Sequence, residues 1–214
     1  FDGHALGRPR IDRLFVRIGV DENTNLTLVL AEQVHYTAVA TLRFEHALVL
    51  RRDWVAMNKG VLMLRQGLPV NLPVQMRPEY AQPVAVLDLR VRKALAHSID
   101  RQGLNDGLFE GQGFISESLV PETLPYSAEV QRAMARYPYD PRRSEQLMSE
   151  AGFSKDREGF FADPSGERFR LDYLTLAGPE FERTQAIMAA TWRQSGFDVQ
   201  QSVVSSARFG EGEV

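Results

Sequence analysis

Cysteine is absent from the 214 residues, which excludes disulfide bonds, thiolate metal sites and cysteine nucleophiles. Long apolar runs are also missing, since none approaches the roughly 20 residues that a membrane-spanning helix needs. The net charge is −3, so the chain lacks the strongly basic balance typical of proteins that bind nucleic-acid backbones. What is present, 43% hydrophobic and 25% charged residues, is enough for a sizeable core, and we expect a folded globular chain.

The two ends of the chain lack the usual signals of a complete protein. The sequence opens with FDGHALG, which contains neither an initiator methionine nor a secretory signal segment, and it ends with the polar stretch GEGEV. We therefore expect an excised piece of a longer protein.

In the first half of the chain, extended and helical patterns alternate. Residues 11–20 and 34–40 are predicted to form strands. Between and after them, residues 21–33 and 43–57 carry helix-starting polar residues or apolar residues at helical spacing. Residues 61–80 contain two extended stretches separated by Gly-Leu-Pro, which we expect to lie antiparallel to each other.

In the second half, the start and stop signals are sharper. Residues 140–152 form the best-marked helix, with Asp140 as N-cap, Pro141 in the first turn and Gly152 as the stop. Residues 158–169 are typical of a hairpin that turns at Pro-Ser-Gly. From residue 168 a strand, a helix over 179–196 and a second strand follow, an arrangement that predicts a parallel pair and an α/β fold.

No motif for catalysis or metal binding stands out. None of the four histidines, His4, His35, His46 and His97, has a second ligand at the spacing of a metal-binding helix. The sequence GQGFIS at 111–116 lacks the third glycine of a dinucleotide fingerprint, and we interpret it as a turn. We therefore expect no cofactor, no metal site and no catalytic residue.

The segment DLRVRKALAHSIDRQ, residues 88–102, concentrates basic side chains but is predicted to have a structural role. Its apolar residues, from Val91 to Ile99, recur at helical spacing and form a stripe that faces a core. Asp88 is placed to cap this helix and to pair with Arg92, and Asp100 is placed to cap the next. Nearby acidic residues dilute the basic charge, so we expect no nucleic-acid partner.

Three stretches carry a family resemblance. LDLRVRKALAHSIDRQGLNDGLFEGQG at 87–113 resembles the signature of the extracytoplasmic solute-binding proteins of peptide-type ABC importers, the family 5 group that includes dipeptide-, oligopeptide- and nickel-binding proteins. YPYDPRRSEQLMSEAGF at 137–153 resembles a helix of the same family, with Ser144 where alanine is usual. GRPRIDRLFVRIGVDENT at 7–24 is similar to a third family motif, so that the resemblance runs in family order over residues 7–200.

The resemblance implies an α/β fold of the type II periplasmic-binding-protein class, in which a mixed sheet is flanked by helices. Members of this family are two-lobed clamps, and residues 1–214 are expected to form most of the second, C-terminal lobe. The implied function is binding rather than catalysis. A monomeric protein in the periplasm or another extracytoplasmic space captures peptides or other small solutes and passes them to a membrane ABC permease.

By analogy with the family, the ligand-contacting residues lie on the strand end and loop before the signature and on the irregular segment 114–126. Loops carried by a rigid scaffold are common positions for ligand contacts. The candidate ligand-binding residues are Gln75, Met76, Arg77, Tyr80, Phe114, Ser116, Ser118 and Tyr126.

Two other functions remain open at this point. One is an α/β hydrolytic enzyme in which Ser116 or Ser118 acts as nucleophile with His97 as base. The other is a ligand-sensing domain of a regulator, which would share the clamp architecture.

Overall fold

The chain divides into two compact units, Phe1–Arg65 and Gln66–Val214. The hydrophobic core of the second unit is formed mainly by residues of its helices and strands, and the buried residues of the first unit lie on its helices. The computed structural model describes residues 11–18, 21–38, 41–64, 70–120, 124–205 and 207–208.

The first unit contains the two predicted helices. Helix α1, Glu22–Leu30, begins at Asp21, whose carboxylate accepts a hydrogen bond from the Thr24 amide at 3.0 Å. Helix α2, Phe44–Asp53, is followed by one turn of 3₁₀-helix at Val55–Met57. Both predictions are confirmed.

His46 joins these helices and has both ring nitrogens in use. Its Nδ1 accepts a hydrogen bond from the Arg43 amide at 3.1 Å, so Nε2 carries the proton and donates to Asn23 Oδ1 at 3.2 Å. Arg43 also pairs with Glu22 at 2.6 Å. This buried histidine caps α2.

The predicted strand at 11–20 is wrong over its described part, residues 11–18, which form no strand; residues 19–20 lie outside the described residues. The apolar side chains that suggested a buried strand are between 68% and 89% exposed. A strand needs a partner for its backbone groups and a surface for its side chains, and β-propensity supplies neither. The exposed residues are Ile11, Leu14, Phe15, Val16 and Ile18.

The strand predicted at 34–40 and the antiparallel pair predicted in 61–80 are likewise not found in the described part of the chain. Residues 39–40 and 65–69 lie outside that part. The physical reason is the same, since no described neighbour pairs with these extended stretches.

The second unit starts with the segment that carried the family signature. Helix α3, Leu89–His97, is capped by Asp88, which accepts from the Arg90 amide at 2.8 Å. Helix α4, Arg101–Phe109, is capped by Asp100, which accepts from the Gly103 amide at 2.8 Å. The prediction of two short capped helices is confirmed.

The predicted ion pair between Asp88 and Arg92 is wrong. Asp88 pairs with Arg90 at 2.6 Å, and the side-chain hydrogen bonds from this guanidinium lower the pKa of the Asp88 carboxyl below its usual value. The guanidinium of Arg92 instead donates to the carbonyls of Val86 and Leu87, at 2.9 and 2.7 Å. These carbonyls end a turn of 3₁₀-helix, where they have no helical partner, and the arginine satisfies them.

Helix α5, Ser127–Ala133, precedes the helix that was best marked in the sequence. This next helix, α6, covers Pro141–Glu150 and begins at Asp140, which accepts from the Arg143 amide at 3.0 Å. Gly152 follows its end with a φ of +96°, a left-handed conformation that favours glycine. Helix α6 packs against α3 through Leu147 and Met148.

Ser144 leaves one polar atom unsatisfied in this packing. The residue is 1% exposed, and its Oγ makes no hydrogen bond within the described residues. Substituting Ser144 with alanine is expected to raise the free energy of unfolding by about 1 kcal/mol, because it removes a buried hydroxyl without a partner. Urea denaturation followed by far-UV circular dichroism measures the change.

Ser98 provides the matched control for this prediction. It is also fully buried, at 0% exposure, but its Oγ donates to the Leu95 carbonyl at 2.8 Å. Ser98→Ala should therefore give no gain in stability. A Ser144→Ala protein no more stable than the wild type would contradict the prediction.

A short antiparallel pair follows α6. Strand β1, Ser154–Lys155, pairs with β2, Phe161–Ala162. The predicted turn at 164–166 is confirmed, with an isolated bridge between Ala162 and Arg168 behind it. The carboxylate of Asp163 shapes this turn by accepting from the amides of Ser165 and Glu167, at 2.8 and 3.0 Å.

The predicted strand, helix, strand unit completes the described chain. Strand β3, Arg170–Leu176, leads into helix α7, Pro179–Ser195, and then into β4, Asp198–Val204. The two strands are parallel, with a register that runs from Arg170 opposite Asp198 to Leu176 opposite Val204. Parallel and antiparallel strands therefore both occur with flanking helices, and the α/β class is confirmed.

The core of the second unit lies where α3, α6 and α7 meet the strands. Trp192 of α7 is 2% exposed and contacts Tyr173 of β3 edge to face, with ring centroids 5.5 Å apart. Three phenylalanines, Phe161, Phe169 and Phe197, continue this aromatic packing. None of the helices in the described ranges has the length and apolar character that a membrane span requires.

Candidate functional site

The first group of candidate ligand residues forms one connected cluster, which we call the Arg77 turn, residues 75–80. The side-chain oxygen of Gln75 accepts from both the amide and the Nε of Arg77, at 3.1 and 3.3 Å. The guanidinium of Arg77 lies over the ring of Tyr80, 4.5 Å from its centroid. The sequence placed these three residues in one site, and the structure brings them together.

The backbone holds this turn in place. The carbonyl of Arg77 accepts from the amides of Tyr80 and Ala81, both at 3.0 Å. Ala81 is 2% exposed, and Val74 at the other end packs against the same core. The turn is therefore anchored at both ends, as a rigid ligand-binding loop requires.

The side chains of the turn remain accessible to a solute. Met76 is 50% exposed and Tyr80 is 59% exposed, and Gln75 and Arg77 are exposed as well. The turn combines an apolar surface, an aromatic ring, an amide and a positive charge, the mixture that small-molecule sites use to orient a ligand.

The second group of candidates lies on the segment 114–120 and 124–126; residues 121–123 lie outside the described residues. Phe114 is 65% exposed and Tyr126 is 52% exposed. Both serines shape the local backbone: Ser116 Oγ donates to the Ser118 carbonyl at 2.7 Å, and Ser118 Oγ accepts from the Val120 amide at 2.9 Å.

These contacts do not support nucleophilic catalysis by either serine. His97, the proposed base, makes its Nδ1 hydrogen bond with the Pro138 carbonyl at 2.8 Å and packs against Tyr137. Within the described ranges, no hydrogen bond joins His97 to Ser116 or Ser118. A serine nucleophile needs a base within hydrogen-bonding distance, and this arrangement does not provide one.

Sequence reasoning missed the residues that hold the second segment. Asn105, 7% exposed in α4, accepts from the Gly113 amide at 2.8 Å through its side chain. A Cβ atom at Gly113 would lie only 2.5 Å from that oxygen, so the close approach requires glycine. The predicted turn at 111–116 is confirmed at its start, where Gly111 has a positive φ. An ion pair between Glu117 and Arg136, 3.5 Å apart, also holds the segment.

Among the described residues, no hydrogen bond, ion pair or ring contact joins the Arg77 turn to the 114–126 segment. The two groups of candidates are therefore separate clusters of the second unit. In the same part of the chain no three histidine, aspartate or glutamate side chains gather in a way that could hold a metal ion.

Two solved structures have a similar fold. An oligopeptide-binding protein from Thermus thermophilus in complex with a pentapeptide matches 87% of this chain and 32% of its own, with a TM-score of 0.67 and 20% identity. The NikA protein from Brucella suis in complex with Fe(III)-EDTA matches 91% of this chain and 37% of its own, with a TM-score of 0.66 and 17% identity. These likenesses support the predicted fold class.

Curated relatives give a similar result at the level of sequence. The dipeptide-binding protein of Escherichia coli is 25% identical over 210 residues, 96% of this chain and 34% of the relative. The glutathione-binding protein GsiB of Pectobacterium atrosepticum is 28% identical over 155 residues, 72% of this chain and 27% of the relative. The chain thus spans about a quarter to a third of the length of these two relatives.

The comparison with family models covers nearly the whole chain. The model that describes the middle part of the bacterial extracellular solute-binding proteins of family 5 matches residues 4–213. This range includes the signature at 87–113, the helix at 137–153 and both clusters of candidate residues. The chain therefore belongs to the family 5 bacterial extracellular solute-binding proteins.

Proposed function

We propose that the chain is part of the substrate-binding component of an ABC importer, which captures peptides or related small solutes. The observation that carries this proposal is the family match over residues 4–213. Peptide-like solutes are favoured because relatives are named for binding dipeptides and glutathione, and a similar structure holds a pentapeptide.

Residues 1–214 are proposed to supply most of the second lobe of a two-lobed protein. Two observations support this. The chain spans only 34% of the dipeptide-binding relative, although 96% of the chain is aligned with it. The apolar side chains between Ile11 and Ile18 are exposed, and a longer protein would cover them.

In this proposal the ligand lies in the cleft between the lobes, and loops of this chain contact it. Closure of the lobes is a hinge motion, driven by the higher affinity of the closed form for the ligand. No covalent step and no cofactor is needed. The residues proposed to contact the ligand are Gln75, Met76, Arg77, Tyr80, Phe114, Ser116, Ser118 and Tyr126.

The proposed partner is a membrane ABC permease, which receives the solute from the binding protein. The proposed location is the periplasm or another extracytoplasmic space, and the proposed state is a monomer. The family is named for extracellular solute binding, which supports this location and does not support the hydrolytic or regulatory alternatives.

The isolated chain 1–214 is expected to bind peptides at least about tenfold more weakly than the full-length protein, a loss of about 1.4 kcal/mol or more. The reason is that the other lobe would supply half of the surface that encloses the ligand. Isothermal titration of both proteins with the same peptide measures the difference, and circular dichroism checks that the isolated chain is folded. Equal affinities would contradict the two-lobed proposal.

A further inference from the structure

We propose that Arg77 binds a carboxylate of the ligand, so that the protein selects solutes that carry a free carboxylate, such as the C-terminus of a peptide. This inference rests on the proposed function and gives it a chemical specificity. Two observations support it: the contacts that orient the Arg77 guanidinium, and the N–H donors that these contacts leave without a partner.

An arginine side chain has five N–H donors, of which one belongs to Nε and four to the terminal nitrogens. In the Arg77 turn, Nε donates to the side-chain oxygen of Gln75 at 3.3 Å. One face of the guanidinium lies against the ring of Tyr80. Within the described residues, the four terminal donors have no hydrogen-bond partner, and they form an edge that can receive both oxygens of a carboxylate.

Some other arginines of the second unit form local ion pairs. Arg90 pairs with Asp88 at 2.6 Å, and Arg168 pairs with Asp156 at 2.6 Å. Arg77 has no ion pair among the described residues, and an aromatic ring and an amide orient it instead. A guanidinium stacked on a ring keeps its edge free and loses little conformational freedom when it binds a planar anion.

Two further features agree with a ligand at this position. The exposed apolar side chains of Met76 and Tyr80 lie beside the charge, so a bound solute would shield the ion pair from water. Glu79 is the acidic residue of the same turn, but it is exposed and makes no ion pair with Arg77, so solvent screens its effect on an incoming anion.

The test uses the full-length protein and a pool of di- to pentapeptides prepared in two forms, with a free C-terminus and as the C-terminal amide. Wild-type protein should retain the free acids at least about tenfold better than the amides, since an amide cannot form the charge-assisted pair with the guanidinium. Arg77→Gln should abolish this preference. Arg77→Lys should keep part of it, because it retains the charge but loses the planar edge.

Matched variants separate this role from a general effect of charge or folding. Arg142 is exposed on α6 and has no ion pair in the described chain, so Arg142→Gln makes the same charge change and should keep the wild-type preference. Tyr80→Ala removes the ring that orients the guanidinium and should weaken binding of the free acids more than binding of the amides.

The outcomes distinguish this inference from the proposed function. If the wild type retains acids and amides equally well, or if Arg77→Gln keeps the preference, the carboxylate role is overturned while peptide binding stands. If neither form is retained at millimolar concentration, peptide binding itself is overturned, and the inference that rests on it falls as well.

Discussion

Replacing Trp192 with alanine should lower the free energy of unfolding by about 3–5 kcal/mol, the range for removing a large aromatic side chain from a packed core. Trp192 is 2% exposed and lies on α7 where that helix meets α3 and β3. Its ring contacts Tyr173, and its Nε1 donates to the Leu95 carbonyl at 3.3 Å. One side chain thus joins segments that are 97 positions apart in the sequence.

The measurement is urea denaturation followed by circular dichroism, since the midpoint and slope together give the free energy of unfolding. Trp192→Phe retains most of the ring volume and loses the hydrogen bond, so it should cost less, about 1–2 kcal/mol. This variant keeps the prediction testable if the alanine variant fails to fold.

Phe181 is the matched control on the same helix. Its side chain is 42% exposed, so Phe181→Ala removes an aromatic ring from α7 without opening a cavity in the core. Its effect should stay below about 1 kcal/mol. If Trp192→Ala cost no more than Phe181→Ala, the packing described for the second unit would be wrong.

Local signals in the sequence were sufficient for most of the second unit. The helix from Pro141 and the helix from Pro179 were both predicted at their observed starts, because capping chemistry acts within one turn of the chain. The parallel pairing of the strands around α7 also followed, since a crossover of that length imposes it. These predictions needed no knowledge of distant residues.

Predictions that depended on residues distant in the sequence were wrong more often. The apolar pattern of residues 11–18 shows that this segment can form a strand, but only a neighbouring strand makes it one. One local prediction was also wrong: helical spacing favoured a pair between Asp88 and Arg92, but Asp88 pairs with Arg90 and the nearby carbonyls of Val86 and Leu87 accept from Arg92.

In the candidate site, too, some features could be predicted from the sequence and others could not. Gln75, Arg77 and Tyr80 are candidates because a family resemblance points to that loop, and the structure shows that their side chains contact one another. The supports of the loops, Asn105 and Ala81, carry no local signal of their role. An asparagine in a short helix and an alanine in a loop become informative only when the fold shows what they contact.

Gln185 is a buried polar residue, and its replacement, like that of Trp192, should strongly lower the free energy of unfolding. It is 2% exposed in α7, and its side-chain amide donates to the Tyr173 carbonyl at 2.6 Å and to the Ser202 carbonyl at 3.0 Å. These carbonyls belong to β3 and β4, so one amide group links the helix to both strands. Both hydrogens of the amide are used, as expected for a buried donor.

Gln185→Leu should destabilise the protein by about 2–4 kcal/mol, because it removes two hydrogen bonds and leaves carbonyl oxygens without this donor in a buried site. Gln185→Glu should be worse near neutral pH, since a carboxylate would face two carbonyl oxygens and has no hydrogen to donate. Urea denaturation of both variants and the wild type at pH 7 measures these losses.

The glutamate variant also carries a pH dependence of known sign. Burial beside two carbonyls would raise the folded-state pKa of the new carboxyl above its unfolded value of about 4.3. Below that unfolded pKa the acid is protonated in both states, and its hydroxyl can donate to one of the carbonyls. The stability of the variant relative to the wild type should therefore recover at low pH and be lost as the pH rises through the raised pKa.

Gln194→Glu is the control, since Gln194 is an exposed glutamine on the same helix. The same chemical change at that position should have little effect at either pH, because a solvated carboxylate keeps an ordinary pKa in both states. Measuring both glutamate variants at pH 7 and pH 4 cancels the titration of the groups that they share. If the two variants responded to pH alike, Gln185 would not be the buried link between α7 and its two strands.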